Sequence, residues 1–181
     1  MPPRRAALAA GLVASLVFAG PGGAAPGPYG LGRPATPAEI AGWDIDVRAD
    51  GAGLPPGRGS VRAGQAVYER RCSGCHGQNG EGGLGDALVG GAGTLATAKP
   101  IRTVGSYWPY ATTLFDYVRR AMPFNAPQSL SADDTYAVVA YLLYLNRIVP
   151  AKTVLDDKTL PRVRMPNRHG FTSPDPRPDT P

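Results

Sequence analysis

The sequence predicts an all-α fold: one domain over residues 60–150 with three main helices, set between long irregular flanks. Three observations predict it. Of 20 prolines in 181 residues, only five fall within residues 60–150 and fifteen lie outside. Within that window apolar residues recur at helical spacing. Finally, two cysteines are too few for a disulfide-rich scaffold, and about ninety ordered residues are too few for a TIM barrel or a doubly wound sheet.

The flanks differ in kind. Residues 1–25 read as a secretory signal peptide, with Arg4-Arg5, an uncharged apolar stretch from Ala6 to Gly20, and the small residues Gly22-Gly23-Ala24-Ala25. The apolar stretch is shorter than the ~20 residues that span a bilayer, so cleavage near Ala25 and no membrane span in the mature chain are expected, with an uncleaved anchor as the alternative. Export places the protein in the periplasm, where thiols oxidise unless something captures them. Residues 26–59 read as an extended Gly/Pro-rich arm that lays Trp43 and Ile45 on the domain; Asp44-Ile45-Asp46-Val47 alternates like a short strand. Residues 151–181 read as a proline-rich tail that wraps or dangles without forming a core. The net charge of +5 is spread along the chain with no Lys/Arg run, which excludes a nucleic-acid footprint.

Inside the domain, residues 61–71 read as the first helix, with Gly64, Tyr68 and Cys72 on one face and the glycine allowing another helix to approach. Residues 77–105 hold nine glycines and read as a wrapping loop, with one short turn around Asp86–Val89. The second helix is expected over Thr112–Ala121, with Leu114, Tyr117, Val118 and Ala121 inward. It stops at Met122-Pro123, because a residue before proline is driven out of the helical region. The third is expected over Thr135–Arg147, opened by a capping-box-like Ser131 and Asp134 and ended by Pro150. Its apolar residues are more than one buried stripe can hide, so the arm or the tail (Val154, Leu155, Leu160, Val163), or another protein, must cover them.

Cys72-Ser73-Gly74-Cys75-His76 is C-x-x-C-H, the attachment sequence of c-type haem. Two cysteines three apart at a helix end can each reach a vinyl group on one porphyrin edge, and the next residue offers its imidazole to the iron. A thioredoxin-like dithiol sits at a strand-to-helix junction in a βαβ unit, which is absent here. Zinc needs four ligands, and a disulfide across two residues is strained. The cofactor is therefore one covalent haem c, held by Cys72 and Cys75, with His76 as the fifth iron ligand. For the sixth, Met122, Met165 and His169 compete. Met122 ends a helix and precedes Pro123, which fixes the backbone that carries its thioether. Met165 and His169 lie in the tail.

Residues 60–150 resemble a class I cytochrome c: Gly64-x-x-x-Tyr68-x-x-x-Cys72, C-x-x-C-H, a loop, Met-Pro and an aromatic last helix. In that family the first and last helices cross, which assigns Gly64 and Tyr141 to the crossing. More narrowly, Thr103-Val104-Gly105-Ser106-Tyr107-Trp108-Pro109-Tyr110, Arg120-Ala121-Met122-Pro123-Phe124, Trp43-Asp44-Ile45-Asp46-Val47 and Met165-Pro166-Asn167 resemble the cytochrome c subunit of the periplasmic sulfane dehydrogenase (Sox thiosulfate-oxidising system) or of a related sulfite dehydrogenase. The chain has no second C-x-x-C-H. The resemblance implies an electron-transfer subunit with no catalysis of its own. Its partners would be a molybdenum-cofactor dehydrogenase subunit that oxidises the substrate and a downstream acceptor cytochrome. It also implies that an indole or phenol here, Trp108 or Tyr110, donates a hydrogen bond to a haem propionate; the alternative is a core aromatic bonded to a backbone carbonyl. Lys99 and Arg102 are further propionate candidates or solvated side chains. Other readings are a free-standing monohaem carrier for another periplasmic dehydrogenase, an open-site haem sensor or catalyst, and a structural subunit with clamping flanks.

Overall fold

The structure, a computed structural model, describes Tyr29 and residues 31–172; the expected signal peptide lies outside them. Contacts divide the chain into an N-terminal unit ending at Ala41 and a main unit from Gly42 on. Where the sequence suggested an extended arm, a helix α1 (Pro37–Trp43) begins. Its start is local chemistry: the Thr36 N–H donates to Glu39 Oε2 at 2.8 Å, Glu39 N–H donates back to Thr36 Oγ1 at 3.3 Å, and Pro37 takes the first helical position. Arg33 pairs with Glu39 and, as the largest cause, holds its carboxyl down at about 2.

In the main unit Trp43 is exposed (86%) rather than laid on the domain, and Val47 is the residue that enters the core. Residues 44–48 pair with no strand. Instead the Val47 N–H donates to Asp116 Oδ1 at 2.8 Å, and Thr112 Oγ1 donates to the Ala49 carbonyl at 2.9 Å. A short strand β1 (Arg58–Ser60) leads into α2 (Val61–Arg71), which Ser60 caps by accepting from the Ala63 N–H. After a single-turn helix α3 (Ser73–His76) comes the long glycine-rich loop, in which no helical turn forms at Asp86–Val89. Helix α4 (Ala111–Ala121) follows, then α5 (Ala132–Leu145), capped by Ser131 as its capping box predicts. A second strand β2 (Val154–Asp156) pairs antiparallel with β1, Gly59 opposite Leu155.

The core is α5 wrapped by the other elements. Residues 135–143 are buried all round, against α2, α4, β1 and β2. A Cβ on Gly64 would run into the Ala137 carbonyl and lie 2.8 Å from the Tyr141 Cβ, so α2 and α5 meet backbone to backbone there. Gly59 brings β1 onto the Ala137 amide in the same way. Two expectations change. The inward face of α4 is Ala111, Thr112, Leu114, Phe115 and Val118, whereas Tyr117 is exposed. The tail also contributes to the core, through Leu155, Leu160 and Met165, each 3% exposed or less. Prolines around them pre-extend the chain without preventing single apolar residues from docking.

Candidate functional site

The C-x-x-C-H segment is built as the continuation of α2. Cys72 N–H donates to the Tyr68 carbonyl at 2.8 Å and His76 N–H to the Cys72 carbonyl at 3.0 Å, so the motif is one compact turn. Gly77, at φ 81°, ends it in the left-handed region that favours glycine. Tyr68 supports the turn from beneath, its hydroxyl donating to the Gly77 carbonyl at 2.8 Å; burial pushes that phenol up to about 12. Cys72 is half-buried and Cys75 exposed. Burial first, and Cys75 second, push the Cys72 thiol up to about 11.

The glycine-rich loop folds back over the motif. Gly82 N–H donates to the His76 carbonyl and Gly85 N–H to the Cys75 carbonyl, both at 2.8 Å. His76 Nδ1 lies 2.7 Å from the Asp86 carbonyl oxygen. A carbonyl only accepts, so the ring proton sits on Nδ1 and Nε2 keeps its lone pair for a metal. The ring rests against Gly85, where a Cβ would come within 2.8 Å of Cε1. Neither Gly85 nor Asp86 stood out in the sequence; the signal was a cluster of glycines, 82, 83 and 85, just after a ligating histidine.

Met122 is the C-cap of α4, in extended conformation, with its N–H on the Val118 carbonyl at 3.0 Å. Its side chain is half-buried against the core, as are those of Cys72, Leu88 and Trp108. These partly covered side chains pack against the core, and an imidazole held with Nε2 available is chemically suited to a haem iron. Of the competing sixth ligands, Met165 is enclosed in the core and His169 is exposed. Trp108 is half-buried, with its ring 5.7 Å from that of Tyr117. The Arg102 guanidinium lies over the Tyr107 ring at 5.6 Å, and Lys99 is exposed.

The sequence profile of the family described as "Cytochrome C oxidase, cbb3-type, subunit III" matches residues 59–142. A comparison with curated proteins finds no match. Among solved structures, the crystal structure of the sulfane dehydrogenase SoxCD from Paracoccus pantotrophus contains a chain to which this one is similar. The two are 48% identical with a TM-score of 0.76, covering 82% of this chain and 73% of that one. Among the described residues no helix is long and apolar enough to cross a membrane.

Proposed function

The chain belongs to the class I cytochrome c family, and on that premise we propose that it is the electron-accepting subunit of a periplasmic molybdenum-dependent dehydrogenase acting on sulfane sulfur or sulfite. As a family member it is an electron-transfer protein with covalently bound haem c. The observation that carries the reading of the site is the 2.7 Å contact from His76 Nδ1 to the Asp86 carbonyl, which holds the imidazole in one orientation with Nε2 left to bind a metal.

In this reading Cys72 and Cys75 would attach the haem through thioethers, and His76 Nε2 and Met122 would be its iron ligands. The bound haem supplies a one-electron ferric–ferrous couple. The chain's own residues set how that couple behaves. The Asp86 carbonyl holds the His76 ring proton and keeps the ring in one orientation. The Met122 thioether, a soft donor, would favour the ferrous state and raise the potential, as suits an acceptor of electrons from a dehydrogenase. With His76 and Met122 both bound, the iron would have no position for oxygen or peroxide, so in this reading substrate oxidation would fall to the molybdenum subunit. The 48% identity with a chain of a sulfane dehydrogenase supports this choice of partner.

The test is reconstitution. The haem-loaded chain alone should show no reduction by sulfane sulfur or sulfite, and adding the molybdenum subunit should give rapid substrate-dependent reduction of the haem. Turnover of either substrate by the isolated chain would replace this reading with an open-site catalyst.

A further inference from the structure

Residues 165–171 run back across the loop that leads into α4. Met165, 3% exposed, anchors the segment in the core. Two turns follow, with Arg168 N–H on the Met165 carbonyl at 3.2 Å and Gly170 N–H on the Asn167 carbonyl at 3.1 Å. The Asn167 Nδ2 donates to the Tyr107 carbonyl at 2.7 Å, sixty residues away in sequence. A Cβ on Gly170 would overlap the Asn167 carboxamide, so glycine there leaves that side chain its place. The Arg168 guanidinium lies 4.2 Å from the centre of the Tyr110 ring, and Phe171 meets the Tyr107 ring edge to face at 5.2 Å.

These contacts grip the loop at Tyr107 and at Tyr110, the two ends of the stretch that contains Trp108. Upstream of Tyr107 the chain is already rigid: Thr103 N–H donates to Ser106 Oγ at 2.9 Å, and Ser106 Oγ donates to the Ile101 carbonyl at 2.6 Å, in a buried knot. Downstream, Tyr110 is the N-cap of α4, its carbonyl accepting from the Thr113 hydroxyl at 3.0 Å and from the Leu114 N–H at 3.4 Å. Between these two bodies Trp108 leans on Tyr117 of α4, their rings 5.7 Å apart, and the tail supplies the further contacts, to Tyr107 and Tyr110.

We propose that residues 165–171 are a positioning strap, with Asn167 and Arg168 as its positioning residues, that fixes Tyr107–Tyr110 and so holds the Trp108 indole against the edge of the haem. This rests on the reading of Trp108 as a haem contact. Without the strap the loop swings outward and water reaches the haem edge. Water stabilises the more highly charged ferric state, so the potential falls.

The chain has two tryptophans, and Trp43 is exposed, so Trp43→Phe leaves Trp108 as the sole indole reporter on a haem-loaded chain. An indole beside a haem is strongly quenched. In that background, Asn167→Ala with Arg168→Ala should raise Trp108 emission severalfold. The midpoint potential should fall by an amount equal to about a tenfold shift in the ferric-to-ferrous ratio, about 59 mV. Arg168→Lys, which keeps a cation over the Tyr110 ring, should restore most of the quenching. If the double variant loses its fold in a thermal scan, Arg168→Ala alone removes one exposed side chain and carries the test. Unchanged quenching and potential in the folded variants would reduce the strap to packing and overturn the proposal. Bright emission from the Trp43→Phe parent would instead place Trp108 away from the haem, overturning the reading on which the strap rests.

Discussion

Gly64 of α2 and Ala137 of α5 lie so close that the glycine has no room for a Cβ beside the alanine carbonyl. The carbonyl carbon and oxygen belong to backbone, so neither can rotate aside, and the Tyr141 Cβ crowds the same spot. Gly64→Ala should therefore destabilise the haem-loaded protein by at least the ~1–3 kcal/mol typical of overpacking, read by denaturant unfolding, while the visible spectrum stays that of the wild type. An unchanged unfolding midpoint would mean that the two helices separate at little cost.

Replacing Met122 and Met165 in turn should separate ligation from packing. Met122→Ala should abolish the weak far-red sulfur-to-iron band of the ferric protein and let carbon monoxide bind the reduced form. Met165→Ala should keep the band and instead cost ~2–5 kcal/mol of stability, because that side chain is 3% exposed within the core. Loss of the band with Met165→Ala would reverse the assignment.

Gly85→Ala tests the support of the proximal imidazole. The new methyl would press on Cε1 and Nδ1, at 2.8 and 3.0 Å from the Cβ, and displace the ring from the Asp86 carbonyl. A histidine whose Nδ1 proton is less well held is a poorer donor to ferric iron, so the midpoint potential should rise. A potential equal to that of the wild type in redox titration would show that the ring is held by other means.

Asp156 gives a pH dependence. The Thr159 hydroxyl, chiefly, and the Thr159 and Lys158 N–H groups hold its carboxyl below the ordinary value of 3.8. A carboxyl depressed on folding contributes stability above its ordinary value, and that contribution is lost as the pH falls through the folded value. In thermal scans at successively lower pH, Asp156→Ala should start less stable and converge with the wild type below about pH 4. Parallel curves would show that the turn after β2 does not depend on this charge.

Much of this was legible in the sequence because it depended on local pattern. The three main helices, the Ser131 cap and the Gly64 approach follow from spacing and cap chemistry, which neighbours a few residues apart decide. The β1–β2 ladder was not legible: each strand has three residues, and what pairs Gly59 with Leu155 is their shared contact with α5 rather than a strand pattern. Reading the tail as coreless erred for a related reason. Composition averages over a segment, whereas Leu160 and Met165 are single side chains finding single sites in a core built by residues far away. At the site, the C-x-x-C-H spacing was plain in the sequence. The Asp86 carbonyl was invisible because any residue carries one, and only the fold says which one faces His76.

The two-stranded ladder also has a mechanical meaning. Arg58 pairs with Asp156, and both flanks leave the ladder at that pair. Tension applied between the two flanks would therefore open the pairing one rung at a time, like a zipper, instead of shearing all rungs together. Its resistance must come from the anchors outside it: Val47 and the Val47–Asp116 hydrogen bond on one side, Leu160 and Met165 on the other. In a single-molecule pulling experiment the force peak should report the extraction of those side chains, with the ladder yielding at once behind them.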